Sequence, residues 1–353
     1  MKVDYLIIGQ GICGTLLSRQ LLLEGKSVIV IDDGAVSSSS KAAGGIINPV
    51  TGKRLVNSWM IDELLPFAKS TYQSIGEEIG VSIIQQCDIL DFHATHEMRS
   101  IFADRLKEDN KYLSEYVDDG KWDQYFRFNY GIGKIDAGML LNIQAMLRGW
   151  RKSLQKANSL LEEKFEISYL LVRDSEVIYK EHTAGKILFC DGVAASDNPY
   201  FAMLPWAKDK GEALIASIPG LPHGDIYKQG SISLVPWHNG LFWIGAAHDW
   251  KFSDMLPSPA FRERVEEQLN YWVKLPYTIE EHIVAQRPAN VDRKPFIGLH
   301  PLHPSVGIFN GMGGKGCSLA PYFAHHFTKH LVQGSALQPE VDINRYRKVL
   351  SRA

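Results

Sequence analysis

Three glycines follow the first apolar segment of the chain, Gly9, Gly11 and Gly14 in "GQGICG", and an acid, Asp32, stands eighteen residues after the last. That spacing suits the binding of two linked phosphates. Gly9 permits a tight turn, Gly11 lets the backbone approach a pyrophosphate, and Gly14 lets a helix lie close to a strand. Free N–H groups at the helix start then face the phosphates. The Asp32 carboxylate can accept both hydroxyl hydrogens of an adenosine ribose. A side chain at Gly11 is expected to obstruct the phosphates.

The flanking elements agree. Residues 3 to 8, "VDYLII", are apolar and partly β-branched without alternation, the pattern of a parallel strand buried on both faces. "TLLSRQLLLEG" carries leucines at helical spacing and ends on Gly25, a C-terminal cap. "SVIVI" is a second strand leading into Asp32. Strand, glycine turn, helix, strand and acid define an α/β dinucleotide-binding unit of Rossmann type.

With 353 residues, 45% hydrophobic and 22% charged, the chain can bury one large core or two medium ones. A balance of 38 basic against 40 acidic residues supplies no general attraction to a polyanion, so no nucleic-acid partner is expected. Cys13, Cys87, Cys190 and Cys317 are too far apart for a Cys-x-x-Cys pair or a zinc-knuckle spacing, and read as thiols of a reducing compartment. The run "YLIIG" is too short to span a bilayer or to form a signal-peptide core, so no transmembrane segment is expected and the expected address is the cytoplasm. No segment repeats at a fixed period.

The fingerprint alone does not separate NAD from FAD, which share their ADP half. After Asp32 the chain runs "DGAVSSSSKAAGGIINPVTGKR", and far downstream it reads "QRPANVDRKPFIG" and then "GIFNGMGGKGCSLAPYFAHHFTKHL". Together with "KGEALIASIPG" and "ISLVPWHNGLFWIGAAHDW", these segments resemble, in order, those of the D-amino-acid oxidase superfamily of FAD-dependent oxidoreductases, which includes glycine oxidase and sarcosine oxidase. The resemblance covers nearly the whole chain. It implies that Ser39 and Ser40 hold the pyrophosphate and that Ala43, Gly44, Gly45 and Ile46 run along the isoalloxazine. It also assigns Ile12, Cys13 and Asp33 to the ADP half, Leu171, Asp191 and Gly192 to the adenosine side, and Gly311, Met312, Gly313, Gly314, Lys315 and Gly316 to the flavin. The last of these segments opens a helix whose N–H dipoles would stabilise charge near N1 and O2 of reduced flavin. Asp191 departs from the alanine or serine usual before that glycine. Cys317 lacks the surroundings of the sarcosine oxidase linkage, so FAD is expected to be non-covalent.

The resemblance also implies the architecture. Residues 1–80, 136–210 and 287–353 would form a discontinuous FAD-binding domain, with 81–135 and 211–286 forming a substrate domain of antiparallel β-sheet plus helices. "SPAFRERVEEQLNYWVKL" reads as a helix of the second domain, and "DAGMLLNIQAMLRGWRKSL", with an acidic start and a basic finish, reads as an amphipathic helix packed on the first.

The implied reaction is hydride transfer from a C–N bond of a small amine or amino acid to flavin, followed by reoxidation by oxygen or a quinone. The protein then has to hold the substrate C–H over N5 and keep the amine unprotonated. Three residues are candidates for the reacting site: Arg287, Lys315 and Asn48. The family's matching arginine binds a substrate carboxylate, so Arg287 either does this or forms a structural ion pair with Asp292. Lys315 reaches either the flavin, a substrate acid or solvent. Asn48, with Lys53 and Arg54, either attracts an acidic substrate or forms an ordinary polar turn around Pro49 and Gly52. His248, Trp59, Tyr227 and Trp237 line the pocket or belong to the core. His325, His326 and His330 read as surface histidines, since no carboxylate or cysteine completes a metal site.

Alternatives from other classes are a flavin-dependent 2-hydroxy-acid dehydrogenase, a flavoenzyme acting on a modified macromolecule such as tRNA, and a non-catalytic FAD-binding module. A plain NAD dehydrogenase would leave the "AAGG" and C-terminal glycine segments without purpose.

Overall fold

The computed structural model describes residues 1–35, 38–108 and 111–352. The strand Lys2–Ile8 lies between Val28–Ile31 and His182–Phe189, parallel to both, with Leu6 opposite Ile29 on one side and Ile187 on the other. Leu6 and Ile7 are fully buried, as an apolar run without alternation requires. The parallel set continues outward to Leu160–Leu161 on one edge and Val306–Asn310 on the other. Antiparallel additions at Leu170–Val172, Val177–Tyr179 and Phe296–Leu299 complete eight strands among the described residues. One face is covered by the helices Ile12–Leu23, Ile61–Ile79, Ile143–Lys156 and Gly316–Gln333, whose apolar sides share one core with Tyr5, Ile7 and Val30.

A second sheet has nine strands among the described residues, in the order Thr278–Arg287, Asp209–Ser217, Leu241–Gly245, Ile232–Pro236, Ile226–Gln229, Ile84–Phe92, Ile132–Leu141 and Ile46–Ile47, with Leu113–Glu115 also on Ile132–Leu141. Its pairings are antiparallel except one, where Ile226–Gln229 runs parallel to Ile84–Phe92. On one face the helix Pro259–Trp272 closes an aromatic core in which Trp272 stacks on Phe126 at 4.8 Å between ring centroids.

The segment 136–154 differs from its expected helix. Residues up to Leu141 belong to the strand Ile132–Leu141, and the helix begins only at Ile143, where Asn142 Oδ1 accepts from Ala145 N at 3.0 Å. A long ladder with Ile84–Phe92 outcompetes the local helical spacing. The boundary expected at 135/136 falls inside this strand. The remaining helix does pack on the first sheet, with Trp150 Nε1 donating to Ser18 Oγ at 2.9 Å. No helix among the described residues is long and apolar enough to cross a membrane.

Trp272 is fully enclosed, so Trp272→Ala removes a side chain that the surrounding rings cannot replace. A loss of about 3–5 kcal/mol is expected in the denaturant unfolding of the apo-protein. An unchanged midpoint would show that this aromatic core does not carry the second sheet.

Candidate active site

The parallel strands bring their C-terminal ends to one edge, and the glycine turn leaves from the central one. Gly9 adopts φ 92°, and a Cβ there would lie 2.8 Å from the Cys190 carbonyl oxygen. A Cβ on Gly14 would lie 1.8 Å from the Gly9 carbonyl oxygen, which explains why only glycine lets helix and turn meet. Gly11 caps the helix with no side chain, and Ser40 Oγ reaches its first turn, accepting from Ile12 N at 3.0 Å. Ser39 and Ser40 open the short helix Ser39–Ala42, and Ile12 and Cys13 start the long one, both buried. Asp32 accepts from Gln10 N at 2.7 Å, Gly34 N at 2.8 Å and Arg151 Nη1 at 2.7 Å. It therefore clamps the turn, with both carboxylate oxygens accepting from protein donors. Asp33 is exposed, and its Oδ1 accepts from Ala35 N.

Asp191 follows the neighbouring strand, beside Gly9, and its Oδ1 accepts from Asn310 Nδ2 at 3.3 Å. Burial raises its carboxyl to about 7, and its own backbone N–H together with that long hydrogen bond offsets only part of the cost. Gly192, with φ 61°, offers its carbonyl to the same asparagine.

Further along, Ala43, Gly44, Gly45 and Ile46 pass between Trp243 and the end of the strand Ile132–Leu141. A Cβ on Gly44 would lie 2.9 Å from the Trp243 ring, and one on Gly45 would lie 2.0 Å from the Leu141 carbonyl oxygen. The turn from Gly311 to Gly316 is tied to the segment after Arg287, with Asn290 Nδ2 donating to the Gly311 oxygen and Gly313 N to the Pro288 oxygen. Met312 is buried within it. A Cβ on Gly316 would lie 3.2 Å from Ile12 Cγ2, so the N-termini of the two long helices meet. Neither Gly11 nor Lys315 supplies a side-chain cap. These two helix ends, one met by Ser40 Oγ and both approached through glycines, fit a dinucleotide carrying phosphates at one end and an electron-accepting ring at the other.

Arg287 lies where both sheets approach this turn, with its Cδ 3.9 Å from the position of a Gly314 Cβ. Its partner is Asp209 and not Asp292: Arg287 and Asp209 are directly opposite in the ladder, and Nη1 donates to Asp209 Oδ2 at 2.7 Å. Asp292 is taken instead by Tyr346 and Arg345. The guanidinium lies flat on Gly211, where a Cβ would meet Nη2 at 2.4 Å. Nη1 also donates to the Ala247 oxygen at 3.0 Å. Nη2 and Nε have no protein acceptor among the described residues, so one edge of the fork is open. Asp209 is almost fully buried. Burial alone would raise its pKa, but the hydrogen bond to His248 and the charge of Arg287 outweigh this and hold it below the usual carboxylate value.

Lys315 Nζ lies 3.5 Å from Ser58 Oγ, and desolvation together with the Arg293 charge lowers its pKa. Lys294 Nζ sits 3.2 Å above the Trp59 ring, which stacks on Phe323. Asn48 Oδ1 accepts from Val50 N, and its carbonyl accepts from Ser58 Oγ, so it shapes the turn leading to Ser58.

Other candidates lie elsewhere. Leu171 sits on an outer hairpin that pairs with the beginning of His182–Phe189, at the opposite end from Asp191. Tyr227 is core, packed on Trp122 and Phe126 and donating to the Pro222 oxygen. Trp237 lines a cavity of about 230 Å³ with Gly44, Leu141, Asn142 and His223. Lys53 and Arg54 occupy an exposed hairpin tip. His325, His326 and His330 are half-buried in ring contacts rather than on the surface, and no metal-binding cluster occurs among the described residues. Sequence reasoning missed Asp209, Gly211 and Arg151. The "KGE" segment marked the neighbourhood of the first two, but nothing in it pairs Asp209 with a residue 78 positions away.

Residues 4–330 match the family described as FAD dependent oxidoreductase. Among solved structures, the fold is similar to iminodiacetate oxidase from Chelativorans sp. BNC1, with 18% identity, 97% of this chain and 98% of that one covered, and a TM-score of 0.77. It is similar to glycine oxidase from Geobacillus kaustophilus at 15% identity, 98% of each chain and a TM-score of 0.79. L-proline dehydrogenase from P. horikoshii gives 15% identity, 98% of each chain and 0.77. The chain belongs to the FAD-dependent oxidoreductase family, and its cofactor is FAD.

Two outcomes follow from this geometry. Gly11→Val drives a side chain into Ser40 and the phosphate approach; the purified variant should keep its far-ultraviolet circular dichroism but lose most of its yellow colour, and normal FAD content would contradict the phosphate assignment. An acid whose folded pKa exceeds its unfolded value of 3.8 costs nothing while protonated and most when ionised, so stability falls between about 4 and about 7. Asp191→Asn should therefore raise the stability of the apo-protein above neutral pH by a few kcal/mol and have little effect in acid, which thermal unfolding at both pH values will show.

Proposed function

We propose that this enzyme oxidises the C–N bond of a small amino compound that carries a carboxylate. The observation that carries this reading is the open Nη2 and Nε edge of Arg287, held flat on Gly211 by Asp209 beside the glycine turn. A planar fork with two free donors suits a carboxylate, and its other end is already fixed, so little ordering is needed on binding. FAD, when bound, accepts the hydride. The protein's part is to hold the acid on Arg287, to place Lys315 and Lys294 as further cations around Ser58 and Trp59, and to limit water through Trp59 and Phe323. Iminodiacetate oxidase and glycine oxidase, two of the similar structures, are named for substrates of this class.

The Cys317 thiol is buried and pushed up to about 12, which supports FAD held without a thioether link. Four buried free thiols support a reducing compartment such as the cytoplasm, with oxygen or a quinone as the final acceptor.

Anaerobic mixing of the yellow protein with glycine, sarcosine, iminodiacetate, D- and L-amino acids and 2-hydroxy acids tests the reading. An amino compound should bleach the flavin, and Arg287→Met should weaken its apparent affinity about 10- to 100-fold, the worth of a charge-assisted hydrogen bond. Bleaching by amino acids that is indifferent to Arg287→Met would remove the carboxylate anchor from the proposal.

A further inference from the structure

His248 lies near the start of the loop that follows the strand Leu241–Gly245, and it pairs with a buried carboxylate. Its Nδ1 lies 2.7 Å from Asp209 Oδ2, the carboxylate oxygen that also accepts from Arg287. A ring nitrogen this close to a carboxylate must carry the hydrogen, so Nε2 is the acceptor in the neutral ring. Asp209 Oδ1 is occupied as well, accepting from Asp249 N at 3.1 Å. The carboxylate is therefore saturated by His248, Arg287 and backbone, and it fixes both tautomer and ring direction.

The opposite edge of the ring is open. The His248 side chain is 57% exposed, stacks on Trp250, and has no partner for Nε2 among the described residues. Arg287 Nη1 lies 3.3 Å from His248 Nδ1, so the histidine and the candidate carboxylate anchor stand side by side on one buried acid. The charged groups around the ring are Asp209 from the strand Asp209–Ser217, Arg287 from Thr278–Arg287, and Asp249 and Lys251 from its own loop. Lys210 points away, donating to the Leu256 oxygen at 2.6 Å.

We propose that His248, positioned by Asp209, is the base that takes the proton a bound substrate ammonium must lose before oxidation. This rests on the C–N reading above. The substrate N–H bond breaks and the Nε2–H bond forms, with the resulting imidazolium stabilised by the Asp209 carboxylate. The neutral amine then has a lone pair free to form the C=N bond as the C–H bond breaks, and both electrons of that bond leave with the hydride to FAD. One proton passes to His248 and one hydride to the cofactor, so charge and electrons balance. His248 is a catalytic residue in this account and Asp209 a positioning residue.

The test is the anaerobic rate of flavin bleaching as a function of pH in wild type and His248→Gln, on holoenzyme with matched FAD content. The exposed position makes this variant safe for folding, and Asp209→Asn serves as the second probe. With an amino-acid substrate, His248→Gln should be on the order of 100-fold slower at neutral pH. The gap should close above the pKa of the substrate ammonium, where the amine arrives neutral. Asp209→Asn, which also loosens Arg287, should weaken apparent substrate affinity at every pH, while its saturating rate shows the same closing gap; free imidazole should restore rate to His248→Ala at neutral pH. Equal rates at neutral pH, or a loss of the same size at every pH, would overturn the role of His248 while leaving the C–N reading intact. If only 2-hydroxy acids bleach the wild type, the C–N reading fails by itself. In that case His248 remains the base only if His248→Gln is slow at every pH, because a hydroxyl does not ionise in this range; an unaffected variant overturns it there too.

Discussion

A carboxylate buried between two strands is costly unless every oxygen is used, and Asp209 uses both. Its partners are Arg287 across the ladder, the His248 ring and the Asp249 backbone, so one acid organises a strand pair and the loop after a third strand. Alternate residues of the same strand extend the arrangement. Lys210 donates to the Leu256 oxygen, while Glu212 accepts from Ser258 N and pairs with His282 at 2.8 Å. The loop from Ala247 to Ser258 is thereby pinned to the strand at several points, and His248 and Trp250 are presented at its open side. Removing the acid would leave an uncompensated guanidinium and a histidine free to turn.

The first sheet solves a different problem. Its central strands are parallel, so their C-terminal ends coincide, and Gly9, Asp32, Asp191 and Gly311 all leave from that edge. Convergence of two helix N-termini there concentrates positive dipole ends, which matches a ligand carrying phosphates and an electron-accepting ring. Close packing makes the edge unforgiving: Gly9, Gly14 and Gly45 each have a backbone carbonyl where a Cβ would be. Cofactor and substrate groups then meet because Arg287, at the end of a strand of the second sheet, is followed directly by the segment that ties down the glycine turn of the first.

The division between what could be read early and late follows the range of the interactions. Phosphate recognition uses backbone groups of consecutive residues, so Gly9 to Gly14 and Asp32 are visible as a string, and the family resemblance extended that reading to the flavin segments. The helix expected from residue 136 was misread because its first six residues have helical spacing; a ladder with Ile84–Phe92, fifty residues away, makes them strand. The dinucleotide turn, the α/β class and the order of the cofactor segments are legible along the chain, because each is encoded by neighbouring residues. That Arg287 answers to Asp209 rather than the nearby Asp292, that Gly211 is the bed on which its guanidinium lies, and that His248 shares the same acid emerge from the folded chain alone, because strand register brings together residues that carry no mark of one another in the sequence.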